Sequence, residues 1–124
     1  MLAFLLLQAA APAVPTDWSV LAPLPYVTAP QITPPLVHFV ADEVAAGRCV
    51  LTRPADGHYI LKVDIATLVG ADGAVRRVLP RAIDCPTVEQ YSAGLIQTFA
   101  RANLAARTAA NRWYRATIVY DWAG

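Results

Sequence analysis

Cysteine is the most reactive residue type in this chain, which contains two, Cys49 and Cys85. An even number of cysteines in a small chain is typical of a disulfide formed in an oxidising compartment. Closing a loop of about 37 residues stabilises a small domain by roughly 3–4 kcal/mol, so we predict a structural bond between them. The pair lacks C-x-x-C spacing, and the two histidines do not form an H-x(3–5)-H pair, which argues against a zinc site.

Acid–base and nucleophilic catalysis is the other chemistry that the residue types allow. The candidates are three aspartates, two histidines and either thiol as a nucleophile. Local structure explains them more simply, because an Asp before Gly is typical of a turn and an Asp before a helix is typical of its N-terminus. No hydrolase, zinc-protease, dinucleotide-binding or P-loop motif is present, so we expect no enzymatic activity, no cofactor and no metal. The acid–base candidates are Asp64, Asp72, Asp84, His38 and His58.

Composition indicates one folded domain. The chain has 124 residues, of which 56% are hydrophobic and 15% are charged, and both values argue against disorder. Its net charge of +1 is too small for the broad basic field that nucleic-acid binding requires. We therefore expect no nucleic-acid partner.

The N-terminus predicts export. An apolar run from Leu2 to Leu7 is followed by Ala11-Pro12-Ala13, which has the A-x-A pattern of a signal peptidase site. We predict a signal peptide over residues 1–13 and a periplasmic or secreted mature protein. Because the basic residues that usually precede such a run are missing, an uncleaved tether in the inner membrane is the alternative. Prolines interrupt the run before the roughly 20 residues that a span needs, so we expect no stable membrane span.

Residues 14–35 contain most of the prolines and predict an extended segment. The apolar side chains between these prolines indicate that part of the segment lies against the domain. Pro34 and Pro35 then favour the start of a short first helix over residues 36–46, with Thr33 as its cap and Gly47 as its stop.

Alternation of apolar and polar residues predicts the strands. A short strand at residues 49–53 is followed by a Pro-Ala-Asp-Gly turn, and residues 58–69 form the most regular strand. A second turn at residues 71–73 leads into a strand over residues 74–79. Residues 113–122 alternate again and predict the last strand.

One main helix is predicted between the last two of these strands. Thr87 and Gln90 have capping-box spacing, with Pro86 just outside the helix. Apolar residues then recur at intervals of three and four and predict the face that packs on the sheet. The chain is therefore expected to form an α+β domain over residues 36–124, with an antiparallel sheet of three to four strands against one main helix in β-β-α-β order. The apolar face comprises Val88, Tyr91, Leu95, Phe99 and Ala102.

From Gly57 to Trp122 the chain resembles the C-terminal domain of TonB, the periplasmic energy-transducing protein of bacteria with two membranes. Three features carry the resemblance: an apolar strand at residues 63–69 that runs into a D-G-x-V hairpin, an Asp84-Cys85-Pro86 entry to the helix, and the closing aromatic strand. The resemblance implies a small exported stand-alone member that binds peptides in envelope or transport-related processes. Because a full transducer also needs an inner-membrane helix and a long spacer, we do not expect this chain to transmit proton-motive force.

The last strand is the expected binding element. A terminal strand can pair with a partner peptide, or with an envelope protein, through backbone hydrogen bonds at its edge. If the Tyr114 face is buried, the alternate residues point away from the core. A homodimer through the same edge and ordinary packing of these side chains are the open alternatives. The candidate partner-binding residues are Trp113, Arg115, Thr117, Val119 and Asp121.

Overall fold

The computed structural model describes residues 12–105 and 110–124. The predicted α+β class is confirmed, with two helices and three antiparallel strands. The predicted signal peptide lies outside the described residues except for Pro12 and Ala13. Within the described ranges, no helix is both long enough and apolar enough to cross a membrane. The elements are a 3-10 turn at Trp18–Val20, α1 at Pro34–Ala45, β1 at His58–Val69, β2 at Val75–Pro80, α2 at Pro86–Ala100 and β3 at Arg112–Ala123.

The sheet has the order β2-β1-β3. β1 pairs with β3 along its whole length, from His58 opposite Ala123 to Val69 opposite Arg112. β2 pairs with the second half of β1 after a tight turn in which Gly73 has a φ of +80°, a conformation that glycine adopts without steric cost. β3 is consequently an edge strand.

Residues 49–53 do not form the additional strand that their alternation predicted. The Val50 N–H donates to the Asp84 carbonyl at 3.0 Å, so this segment pairs with the residues before α2 and not with the sheet. The predicted disulfide between Cys49 and Cys85 is present, with a Cα–Cα distance of 4.3 Å. Both cysteines are buried. The bond joins the loop after α1 to the start of α2.

The two helices cover one face of the sheet, called here the helix face. β1 contributes Val63 and Ile65 to this core, and β3 contributes Ile118 and Tyr120. Val40 is the buried residue of α1. These side chains are almost fully removed from water, which is the main source of stability for a domain of this size.

α1 starts before its predicted position and ends within one residue of it. It begins at Pro34, two residues before the predicted run, because a proline has no N–H to lose in the first turn of a helix. Thr33 is the cap residue, but its side chain makes no capping hydrogen bond. Gly47 lies just beyond the helix with a φ of +76°, which fits its predicted role as a stop.

The capping box predicted for α2 is wrong. The helix begins at Pro86, so Thr87 lies inside the first turn and donates to the Glu43 carboxylate of α1 at 3.0 Å. Glu89 binds the helix entrance in its place, because Oε2 accepts from the N–H groups of Ile83 and Cys85, each at 3.1 Å. The buried face is also shifted from the predicted one, since Tyr91, Leu95 and Phe99 are only partly buried and Ala102 follows the helix. The fully buried residues of α2 are Val88, Ser92, Ala93, Ile96 and Ala100.

Residues 14–24, called here the strap, cover half of the opposite face of the sheet. Leu21 packs against Ala66, Leu68 and Trp113 in a second, smaller core. Farther along the strap, Leu24 belongs to the core on the helix face. The strap therefore passes around the outer edge of β3 between these two leucines.

Candidate functional site

The outer edge of β3 is paired with the strap at one position. The Arg115 N–H donates to the Ala22 carbonyl at 2.8 Å, and the Leu24 N–H donates to the Arg115 carbonyl at 3.0 Å. Pro23 lies opposite Arg115 in a parallel bridge. A proline fits there because the residues on either side of it make both hydrogen bonds, so its missing N–H costs nothing.

Three further positions of β3 present their backbone groups along the same edge. Backbone groups alternate in direction along a strand, so those of Thr117, Val119 and Asp121 point away from β1, like those of Arg115. No other backbone group within residues 12–105 and 110–124 pairs with them. We call this stretch, residues 117–121, the open edge.

Not all of the predicted partner-binding residues are available at this edge. Trp113 is buried, with only 6% of its surface exposed, because the strap covers it. Its indole Nε1–H donates to the Pro12 carbonyl at 2.5 Å, and the Arg77 guanidinium lies 5.9 Å from the ring centroid. Of the two alternatives for Trp113, the structure shows ordinary packing in the core and not an aromatic side chain exposed to a partner. Arg115 is half-buried, and its backbone is already paired.

The uncovered half of the sheet surface next to the open edge, called here the open face, is amphipathic. Ile60 and Val119 are 66% and 46% exposed. Thr117 donates its hydroxyl to Asp64 Oδ1 at 2.7 Å, across the strand pair. Asp121 is paired with His58, with Nε2 and Oδ1 2.5 Å apart. A partner at this edge would thus meet two apolar side chains beside polar groups that are already hydrogen-bonded.

A cavity adjoins each end of the open edge. The first, of about 360 Å³, lies where the strap leaves β3 and includes Tyr26 and Thr117. The second, of about 410 Å³, separates the start of α1 from the end of β3. A further cavity of about 400 Å³ continues from it along α1 toward Tyr59, which stacks on Trp122 with ring centroids 4.9 Å apart. The second cavity is lined by Ile32, Pro34, Val37, His38, Ala41, Asp121, Trp122 and Ala123.

The acid–base candidates are spread over the fold, since His58 and Asp64 lie on β1 and the other three lie on α1, in the hairpin turn and before α2. His38 pairs with Asp42 one turn along α1, with His38 Nε2 3.2 Å from Asp42 Oδ2. Asp72 lies in the hairpin turn, where the Ala74 N–H and the nearby Arg76 guanidinium lower the pKa of its carboxyl. Asp84 precedes α2 with a φ of +57°. Within the described residues, no group of three or more His, Cys, Asp or Glu side chains is arranged to hold a metal ion.

Sequence reasoning missed the residues that shape the ends of the edge. The alternation in β3 identified its outward positions, but nothing in it indicated that Ala22 and Leu24 pair with one of them. The apolar residues between the prolines, such as Leu21 and Leu24, indicated that the segment packs on the domain, but they did not indicate which side of β3 each would reach. Comparisons with protein-family models, curated proteins and solved structures find no match to this chain.

Proposed function

We propose that this protein is an exported, non-enzymatic binding module that holds an extended segment of a partner protein as an added strand on the open edge of β3. The observation that carries the proposal is the row of outward backbone groups at Thr117, Val119 and Asp121, which lack backbone partners within the described chain. Proteins normally blunt such an edge with charge, proline or a covering loop. Here the strap covers only the position next to this row, and Val119 is an exposed apolar residue.

In this mode of binding, the backbone supplies affinity and the side chains supply specificity. A partner strand beside residues 117–121 would exchange backbone hydrogen bonds with the three outward positions. Because side chains alternate along a strand, every second partner residue would point toward the helix face. The two flanking cavities, at Tyr26 and at Trp122, lie at the ends of that row and could accept apolar partner side chains.

Thr117→Pro provides the test. Proline removes the outward N–H and places a ring on the open edge, while the bonds between β3 and β1 stay in place. The matched control, Thr117→Val, keeps the backbone donor and removes only the hydroxyl that binds Asp64. A photo-reactive residue at Val119, introduced in the organism that encodes the chain, would capture the partner.

We expect capture by the unchanged chain and by the valine variant, and at least a tenfold loss with the proline variant. A photo-reactive residue at Val50, which is 79% exposed and lies before α2, controls for chance contacts. Circular dichroism would establish that the proline variant is folded. Equal capture of the same partner by a folded proline variant would refute strand addition at this edge.

Export is part of the proposal. The A-x-A pattern at residues 11–13 and the disulfide support it, since disulfides persist mainly in oxidising compartments. Intact mass of the protein recovered from a periplasmic extract, with and without reduction, would test it. A mass that starts at Val14, with two thiols alkylated only after reduction, is the expected result. A full-length species with free thiols would contradict export.

We also propose a relationship to the C-terminal domain of TonB, with an envelope or transport protein as the partner class. Its support is the position of the residues that carry the resemblance. Asp72 and Gly73 lie in the turn between β1 and β2, Cys85 and Pro86 open α2, and the aromatic residues occupy β3. The relationship would also explain the chain order of β1, β2, α2 and β3.

A homodimer through the open edge is the second candidate. The exposure of Val119 favours it, because a strand from a second copy beside β3 would place side chains against Val119. Light scattering of the purified chain separates the two candidates. A monomer at high concentration would eliminate the dimer and leave the partner strand.

A further inference from the structure

The strap occupies the position of β3 directly before the open edge. Its two backbone hydrogen bonds at Arg115 are the kind that an added strand would make. The strap therefore hydrogen-bonds to the backbone of Arg115 in the way that a partner strand would hydrogen-bond to Thr117 and Val119. The length of edge that a partner can use depends on whether the strap is in place.

Two groups of contacts keep the strap in place on the rest of the molecule. On the sheet face opposite the helices, Leu21 is buried against Trp113, and the Arg81 guanidinium lies 4.7 Å from the centroid of the Trp18 ring. Beyond the edge, Asn103 holds the residues that follow the strap, since its carbonyl accepts from the Val27 N–H and its side chain binds the backbone of Thr28. The first region can be weakened without altering the second.

Release of the first region would have two effects on β3. It would free the Arg115 N–H from the Ala22 carbonyl, which adds one backbone donor to the open edge, while the Leu24 N–H stays bonded to the Arg115 carbonyl. It would also uncover part of the apolar surface of Trp113, Ala66 and Leu68, which the strap helps to bury. Both effects would favour a partner strand longer than the present open edge.

We propose that the strap is an autoinhibitory segment, which competes with the partner strand for the outer edge of β3. This inference rests on the proposed function, because it assumes that β3 accepts a strand. A segment tethered to its own site acts at an effective concentration on the order of millimolar. A partner strand that needs Arg115 must therefore either bind tightly or meet a chain whose strap has been released.

The first part of the test needs no partner. Amide hydrogen exchange, resolved by residue, is measured on the full chain and on Trp18→Ala/Leu21→Ala, which removes the side chains that hold the strap to the sheet. We expect the Arg115 amide to exchange at least tenfold faster in the double variant. Val20→Ala is the matched control, because Val20 belongs to the strap region but is 68% exposed, and it should leave the rate unchanged.

The amides of Val63 and Ile65, in the central strand, report whether the fold is intact in each variant. If the double variant does not fold, Arg81→Ala replaces it, since this change removes the guanidinium above Trp18 without altering the strap or either core. An unchanged Arg115 exchange rate in a folded, weakened variant would overturn the proposal.

The second part measures competition with a defined probe. A labelled synthetic peptide that copies residues 18–28 is titrated onto the full chain and onto each variant, with fluorescence anisotropy as the readout. We expect at least tenfold tighter binding by the weakened variant than by the unchanged chain or Val20→Ala, and no binding of a scrambled peptide. Faster Arg115 exchange with equal peptide affinity for all chains would overturn the competition.

Failure of the proposed function gives a different result. In that case Thr117→Pro would leave capture of the partner unaffected, whatever the strap does. The exchange rate of Arg115 and the affinity for the strap peptide do not depend on that capture. The two proposals can therefore fail separately.

Discussion

At the residue scale, a fully buried polar contact joins Ser92 of α2 to Tyr120 of β3. The two hydroxyl oxygens are 2.8 Å apart, and both side chains are fully removed from solvent. The bond explains why a serine is tolerated in the centre of a helix face that packs on the sheet. A buried hydroxyl without a partner costs free energy, whereas a pair that satisfies itself does not.

Ser92→Ala is predicted to lower the free energy of unfolding by about 1–3 kcal/mol, because it leaves the Tyr120 hydroxyl unpaired. Tyr120→Phe should cost less, since a helical serine can donate to a carbonyl of its own helix. The double variant should cost less than the sum of the two single changes. Urea denaturation of the unchanged chain and the three variants gives a double-mutant cycle. If the two single losses of unfolding free energy add up to that of the double variant, the contact contributes nothing.

Tyr26 is the second residue with an informative hydroxyl. Its hydroxyl oxygen is buried and has no hydrogen-bond partner among the described residues. Burial raises the pKa of the Tyr26 phenol from its usual 10.0 to about 12. The folded chain therefore keeps this proton at pH values where the unfolded chain has released it.

The raised pKa of Tyr26 makes the stability of the chain depend on pH, because the folded and unfolded chains bind different numbers of protons at high pH. Between about pH 10 and pH 12 the unfolded chain binds fewer protons than the folded chain, so stability falls as the pH rises and is unaffected below pH 10. Tyr26→Phe should remove this part of the decline without loss of stability at pH 7. Chemical denaturation at a series of pH values would check it. Parallel curves for the two chains above pH 10 would contradict the assignment.

At the element scale, the start of α2 depends on one carboxylate. Glu89 accepts two backbone N–H groups that precede the helix, and it lies near the positive end of the helix dipole. The disulfide is attached at the same point through Cys85. The entrance to α2 is thus fixed both covalently and by a charge-assisted hydrogen-bond pair.

Glu89→Ala is predicted to destabilise the chain by about 1–2 kcal/mol, because two N–H groups lose their acceptor. Glu89→Gln should cost less, since the amide oxygen still accepts. Thr87→Ala, at an exposed position of the same turn, is the control and should change stability by less than about 0.5 kcal/mol. Equal losses for Glu89→Ala and Thr87→Ala in urea denaturation would show that the carboxylate does not fix the entrance.

Loss of the disulfide should have a larger effect than either change. Replacing Cys49 and Cys85 with serine should lower the free energy of unfolding by about 3–4 kcal/mol, according to the chain-entropy relation for a loop of this length. The residues are separated by 36 positions. Thermal denaturation of the serine variant, beside the unchanged chain with and without reductant, would measure the effect. A loss below about 1 kcal/mol would contradict a structural role for the bond.

The strands were predicted well and the helix ends poorly, for a physical reason. A strand buried on one face repeats every two residues, so β1 was predicted with its observed bounds at residues 58 and 69. The start of α2 depends instead on Glu89, whose contacts are with residues before the helix. The strand predicted at residues 49–53 failed because its backbone pairs with Asp84, a contact that alternation cannot encode.

The candidate site was predictable only in part. Alternation in β3 identified Thr117, Val119 and Asp121 as outward positions once Tyr114 was placed in the core. The same reasoning left the packing of Trp113 open, because the apolar residues of the strap did not indicate which surface of the sheet they would cover. The cavities beside the open edge are formed by residues distant in the chain, such as Ile32 and Trp122, and were not predictable from spacing.

At the scale of the whole molecule, the sheet is covered unequally. The helices cover most of one face, the strap covers half of the other face, and β3 has one outward position covered and the next three open. A domain this small needs both cores for stability, so the strap has a structural role even if it also regulates the edge. The open edge is one of the two outer edges of the three-stranded sheet, and it is the one that adjoins the strap.

Residue-resolved amide exchange along β3, measured on the free chain and again on the chain bound to the partner captured at Val119, tests the central claim most directly. In the free chain, the amides of Thr117, Val119 and Asp121 should exchange rapidly, between slowly exchanging amides at Ile118 and Tyr120 that pair with β1. In the complex, the three outward amides should become at least tenfold slower. Protection that appears on another surface while these three remain fast would contradict strand addition at β3.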